Sequence, residues 1–462
     1  MEASNQHAAD SLGLEPSEMR RLGYRVVDLV VDHFERKALG PAVHTGTPDG
    51  LWAALGGPVP DLPGDPEKAI TTLAEVAMAH MQHGDHPRFF ARVPGPSSFA
   101  AVLGEWLGIG HNAIASSWAT GSGPTTVELV VIDWLRTLLG MPEETEGVLL
   151  SGGSMANLTA FGAARAVCGD GVAYLTDQTH AALTRDLQAL GFPPEHVRVL
   201  PSDESFRFSM PVLAAAVAED RAAGRRPLMV VATAGTTNTG TVDPLPEIAD
   251  FCASEDLWFH VDGAYGAPAA LSEPGRAVLR GIERADSLVL DPHKWLFQPY
   301  DVGCVLVRRP GALRRAFSIN AEYIKDVQSV NGEVDFRDRS LELTRRSRAL
   351  KLWLTFRIHG SDRIRAAITR CIELAEFAEE VLRGSDDWEI VTPAQVGIVT
   401  FALRGADEET QAARAAALVA SGYAAVTPTT LRGRSVLRLC TINPTTTEDD
   451  IVGTLDRLAG RS

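Results

Sequence analysis

Apolar residues recur at helical spacing through residues 16–35 (Met19, Leu22, Val26, Val27, Leu29, Val30, Phe34), which predicts an amphipathic helix. Proline and glycine then accumulate over 40–66 and predict an irregular arm, with a second helical pattern near 66–81. Neither helix can bury a core alone, so this portion is expected to pack on the main domain or on a second subunit. From residue 148 the rhythm changes to short apolar runs at 148–150, 172–176, 197–200, 228–233, 257–262, 287–291 and 303–307. Helical patterns such as 156–166, 210–223 and 244–254 separate them, predicting an α/β fold with a mostly parallel central sheet and helices on both faces. Beyond about residue 339 the pattern is helical over 341–358 and 361–382. Short runs at 389–391, 398–402 and 436–440 flank another helix near 408–421, predicting a small C-terminal α+β domain. The expected division is an N-terminal helical arm over 1–90, a large domain over 91–357 and a small domain over 358–462.

Composition narrows the class. At 462 residues, 45% hydrophobic and 22% charged, the chain can bury a large core. Its net charge of -16 and the lack of basic runs argue against nucleic acid or an anionic membrane as partner. The longest uncharged window, 106–127, is broken by Gly, Ser, Thr, Pro and His and does not read as a bilayer span. Cys168, Cys252, Cys304, Cys371 and Cys440 lie far apart without metal or dithiol spacing, and residues 1–7 lack a basic and apolar export signal. A cytoplasmic protein with reduced thiols and no bound metal is the expectation.

In a parallel sheet, ligands sit beyond the carboxyl ends of the strands. Four polar clusters fall there: Ser151-Gly-Gly-Ser154, Thr233-Ala-Gly-Thr-Thr237, Asp262-Gly-Ala264 and Asp291-Pro-His-Lys294. Lys294 hangs on a short tether in apolar surroundings, where desolvation and nearby positive charge are expected to lower its pKa and free the amine for Schiff-base chemistry. Asp262 ends an apolar strand and needs a cationic partner, either Lys294 or a protonated heteroaromatic nitrogen. The Gly-Gly-Ser turn precedes a helix whose N–H groups favour a phosphate, with the Ser154 hydroxyl as a further donor. His180, after another strand end, can stack on a flat ring or exchange a proton. Singly, each residue reads more simply as a cap or a core group. Together they meet the needs of pyridoxal 5'-phosphate, which carries an aldehyde, a phosphate and a pyridine nitrogen.

The chain also resembles the group II pyridoxal-phosphate decarboxylases. His86-Pro-Arg-Phe-Phe90, Ser117-Trp-Ala119, Glu128, Thr176-Asp-Gln-Thr-His180, His260-Val-Asp-Gly-Ala-Tyr265, Asp291-Pro-His-Lys-Trp295 and the stretch from Arg345 to Trp353 carry the likeness. It implies a fold-type I transferase-like architecture and a homodimer, with N-terminal helices wrapped around the partner and the site between subunits. It further implies that Lys294 binds the cofactor as a Schiff base, Asp262 pairs with the pyridinium, His180 stacks on one ring face and Ala264 packs on the other. Ser154, the Met155 backbone, Asp291 and His293 would surround the phosphate, with Thr237 lining the cofactor site. The activity implied is decarboxylation of an L-amino acid to the amine and CO2.

Two departures complicate that picture. Phe336 aligns with a mobile-loop tyrosine that protonates Cα in aromatic-specific members. Phenylalanine there suggests oxidative conversion to an aldehyde as the alternative activity, unless His180 or Tyr323 supplies the proton. The 111–117 segment is small and polar where those members have bulky walls, and Gly95 replaces a threonine, which points away from an aromatic substrate. A catalytically silent scaffold has no use for the Lys294, Asp262 and His180 set.

Overall fold

A computed structural model describes residues 12–319 and 332–461. Helix α1 (Pro16–Arg36) starts on proline and buries only Leu22, leaving Met19, Tyr24 and Val26 exposed. Two short helical turns, Pro48–Leu55 and Pro66–Thr72, complete the arm. Helices α2 (Phe99–Gly110) and α3 (Trp118–Leu138) follow, the latter opened by a Ser117–Thr120 capping box.

The central sheet holds β1 (Glu146–Leu150), β2 (Val172–Thr176), β3 (Val197–Leu200), β4 (Pro227–Thr233), β5 (Trp258–Asp262), β6 (Ser287–Leu290) and β7 (Gly303–Val307). Their order is β1-β7-β6-β5-β4-β2-β3, and β7 alone runs against its neighbours. Strands β2 and β4 to β7 are buried along their whole length, which explains why they read as unbroken apolar runs. Helices α4 (Gly153–Cys168), α5 (Ala181–Ala189), α6 (Met210–Ala222) and α7 (Leu245–Glu255) connect them.

Helix α8 (Ala349–Arg383) crosses the boundary expected at 357/358 and bends at Gly360, whose φ of 71° is one that glycine adopts freely. It leads into a second, antiparallel sheet of four strands. The strands are β8 (Trp388–Gln395), β9 (Ile398–Leu403), β10 (Thr427–Leu431) and β11 (Arg434–Cys440), accompanied by α9 (Glu408–Ala420) and α10 (Glu448–Ala459).

A fully buried ion pair locks the large sheet to the segment before α8. Arg345 grips both oxygens of Glu128 at 2.7 and 2.8 Å, while the Leu149 N–H donates to the same carboxylate at 2.9 Å. Removing one partner from such a pair costs about 3–5 kcal/mol, because the other charge is stranded. Among the described residues no helix is long and apolar enough to cross a membrane, and no cluster of His, Cys, Asp and Glu is placed to hold a metal ion.

Candidate active site

The carboxyl ends of β1, β2, β4, β5 and β6 open into one cleft of about 340 Å³, and all nine candidate residues line it: Ser154, Met155, His180, Thr237, Asp262, Ala264, Asp291, His293 and Lys294. The sheet register builds this convergence. Thr233 pairs with Asp262, Asp262 with Val289, and the Asp291 N–H donates to the Ala264 carbonyl at 2.7 Å.

Lys294 sits in the helical turn Pro292–Trp295 that follows β6, half-buried, with Nζ 2.9 Å from Asp291 Oδ2. Burial works to lower its pKa, but the charge and hydrogen bond of Asp291, joined by Asp262, outweigh it and the net shift is upward. The lowered pKa expected from sequence is therefore corrected: the neighbours that dominate are anionic. His293 receives the Val302 N–H on Nδ1 at 3.2 Å, which leaves its neutral proton on Nε2, 3.6 Å from Asp291 Oδ2.

Asp262 is 5% exposed, and its Oδ1 accepts the Ala264 N–H at 3.0 Å. Burial raises its pKa, opposed by that hydrogen bond and by the positive charge of Lys294. Beneath it runs a buried chain of hydrogen bonds. Trp258 Nε1 donates to Ser287 Oγ at 2.8 Å, Ser287 meets His260 Nδ1 at 2.8 Å, and His260 Nε2 meets Asn157 Oδ1 at 2.9 Å. Burial pushes the His260 pKa down to about 3, so this imidazole is neutral. Asn157 itself lines the cleft and was missed from sequence, where it reads as one more position inside a helix.

The Gly-Gly-Ser turn enters α4 with no side chain capping the first N–H groups. A side chain on Gly153 would begin 3.0 Å from Asp291 Oδ2, and one on Gly303 would begin 2.6 Å from Gly152 Cα. Only backbone fits between the turn, Asp291 and β7. Ser154 is exposed at the mouth and its Oγ accepts from Arg185 Nη2 at 3.3 Å, a cation that sequence reading passed over. His180 is the N-cap of α5: Nδ1 accepts the Ala182 N–H at 3.2 Å, leaving the neutral ring's proton on Nε2, and the ring is exposed.

Arg438 was also missed, although an arginine inside Val-Leu-Arg-Leu-Cys is itself a signal. It is 3% exposed, with Nη1 on the Arg92 carbonyl and both Nε and Nη2 lacking a hydrogen-bond partner among the described residues. Its charge acts on Tyr265, which lines the cleft and whose buried hydroxyl likewise lacks a partner there.

Phe336 departs from expectation. It is fully buried at the start of the short helical turn Phe336–Arg339, with its ring 4.9 Å from the Arg345 guanidinium carbon and 5.5 Å from that of Arg339. It is a core residue, and the argument for aldehyde chemistry drawn from it falls away. Tyr323 lies outside the described residues. The 111–117 segment lines neither the cleft nor the cavity adjoining it.

These groups suit pyridoxal 5'-phosphate. The uncapped N-terminus of α4 offers free N–H donors to a phosphate, the buried Asp262 carboxylate suits a ring N–H, and Lys294 supplies a primary amine in the same cleft.

Comparison with known proteins agrees. Residues 53–404 match the pyridoxal-dependent decarboxylase conserved domain. The chain is 44% identical to an aromatic-L-amino-acid decarboxylase of Bacillus atrophaeus, covering 96% of this chain and 95% of that protein. It is 32% identical to a phenylacetaldehyde synthase of Arabidopsis thaliana, with 94% of each covered. Among solved structures, Catharanthus roseus tryptophan decarboxylase in complex with L-tryptophan superposes with a TM-score of 0.90 at 31% identity, covering 96% of this chain and 98% of that one.

Proposed function

The chain belongs to the pyridoxal-dependent decarboxylases and uses pyridoxal 5'-phosphate to decarboxylate an amino acid, and from that premise we propose that its substrate is an aromatic L-amino acid, released as the amine. The 44% identity to an aromatic-L-amino-acid decarboxylase over nearly the whole chain supports the substrate class, against the reading of Gly95 and the 111–117 segment.

Lys294 Nζ is the covalent attachment point for the cofactor aldehyde. Bound in the cleft, the cofactor supplies an electron sink for the charge left when CO2 departs. Asp262 keeps the ring nitrogen protonated, and the backbone of Ser154 and Met155 with His293 and Asp291 surrounds the phosphate. Thr237 and Ala264 line the cleft and would bound the ring. His180 holds an exposed proton on Nε2 at the mouth. One observation carries this reading: a buried carboxylate, a primary amine and an uncapped helix N-terminus share a single cleft.

The protein works as a homodimer in the cytoplasm. Exposed apolar residues on the arm and nearby, Met19, Tyr24, Trp52, Leu107 and Ile109 among them, support an interface, and five free cysteines suit a reducing compartment. Reconstitution with cofactor tests the chemistry: a visible absorption band appears, Lys294→Ala abolishes it, and aromatic L-amino acids yield CO2 and amine without oxygen uptake. Failure to form the band, or its survival in Lys294→Ala, overturns the assignment. Sedimentation velocity tests the dimer.

A further inference from the structure

The buried chain beneath the cleft has a direction, and it is set from one end. The Trp258 indole N–H can only donate, so Ser287 Oγ accepts from it at 2.8 Å. The Ser287 hydroxyl is fully buried, and among the described residues the acceptor within its reach is His260 Nδ1, also at 2.8 Å. A buried O–H needs an acceptor, so this one donates to Nδ1. The neutral imidazole then carries its single proton on Nε2 and donates it to Asn157 Oδ1 at 2.9 Å. Reversing the chain would spend Nδ1–H on Ser287 Oγ and leave the serine proton with nothing to meet.

Asn157 is thereby turned one way. Its Oδ1 is held inward by His260, and Nδ2 points away from that contact. The residue is 1% exposed and lines the cleft. Nδ2 has no hydrogen-bond partner among the described residues, yet it is not one of the sealed polar atoms of the interior, so the space it meets is the cleft. The Phe161 ring, one turn further along α4, packs edge-on against the His260 ring with centroids 5.0 Å apart and helps keep it in place. Asn157 thus stands between the glycine turn at the head of α4 and the strand that carries Asp262.

We propose that Asn157 is a further cofactor-binding residue: its Nδ2–H, aimed by the Trp258–Ser287–His260 chain, donates to an oxygen of bound pyridoxal 5'-phosphate. A carboxamide nitrogen only donates, so the phosphate and ring oxygens are open to it and a protonated ring nitrogen is not. Trp258, Ser287 and His260 are positioning residues that act through Asn157. The inference rests on pyridoxal 5'-phosphate as the occupant of the cleft.

The test measures Kd by equilibrium dialysis of the cofactor-free protein against pyridoxal 5'-phosphate. Asn157→Ala, which removes one neutral hydrogen bond, raises Kd about tenfold. Asn157→Asp still accepts from His260 Nε2 but sets an acceptor where the donor was, and raises Kd further. Repeating the series with pyridoxal, which lacks the phosphate, identifies the oxygen: an equal loss marks the ring oxygen, and a loss confined to the phosphorylated form marks the phosphate. Were Asn157 only the acceptor that closes the chain, Asn157→Asp would bind as wild type does, so a Kd within about twofold of wild type in that variant overturns the proposal. Nitrogen-15 NMR of the wild type, with the His260 signals identified by their loss in His260→Gln, reads the direction without any Asn157 variant. A protonated Nε2 and a bare Nδ1 are expected, and the reverse overturns the proposal. If the wild type forms no visible band with cofactor, the cofactor assignment itself fails, while the tautomer still decides the direction of the chain.

Discussion

Lys294 Nζ lies 2.9 Å from Asp291 Oδ2, so its amine is held as an ammonium by the residue just past the end of β6. Attachment of a cofactor aldehyde at this amine would require that proton to leave. Replacing Asp291 with asparagine removes the anion that raises the lysine pKa, so the free amine becomes available at lower pH. The rate at which cofactor-free protein loads, followed by absorbance across pH, should shift its profile toward lower pH in Asp291→Asn. A profile that stays in place contradicts the electrostatic role given to Asp291.

Asp262→Asn keeps the shape of the buried side chain and removes its charge. Loss of one such preorganised electrostatic partner costs on the order of 10²–10³ in turnover. CO2 release should fall by that factor, and equilibrium dialysis should show weaker cofactor binding. Turnover within tenfold of wild type would remove Asp262 from the ring-nitrogen role.

Phe336→Tyr places a hydroxyl in a fully buried site beside Arg339 and Arg345. An unpaired buried hydroxyl costs about 1–3 kcal/mol, so the thermal midpoint should drop. The ratio of amine to aldehyde product should not change, because the ring sits in the core. A shift in that ratio would return Phe336 to the reacting centre.

His260 offers a pH signature of stability. Its folded pKa is pushed down to about 3 from an ordinary 6.5, so below 6.5 the unfolded chain takes up a proton that the folded chain refuses. This contribution is complete above pH 6.5 and is lost as pH falls toward 3, by up to about 1.4 kcal/mol per pH unit. Urea denaturation of wild type and His260→Gln across that window should show a shallower decline in the variant. Parallel declines would mean that other groups govern acid sensitivity.

Much of the fold was legible because its central strands are buried along both faces and so read as apolar runs ended by polar clusters. The same logic brought Lys294, Asp262, His180 and the glycine turn to one set of strand ends, where the structure places them. What stayed hidden depends on contacts between distant segments. The reversal of β7 leaves no mark in an apolar run, since parallel and antiparallel buried strands share a pattern. The Lys294 pKa was misjudged because sequence proximity to His293 suggested positive charge, whereas geometry sets Asp291 and Asp262 against the amine. Phe336 was misplaced because alignment with a loop tyrosine put it in a mobile stretch, whereas Arg345, nine positions later, packs against its ring in the core. Arg438 and Asn157 were overlooked because each lies in an element whose neighbours are apolar.

The hydrogen-bonded chain from Trp258 through Ser287 and His260 to Asn157 has a practical corollary. An indole donor at the amino end of β5 is wired, link by link, to a side chain that faces the cleft. These three links tie the wall of the cleft to the opposite end of β5, and Trp258→Phe would release the first of them.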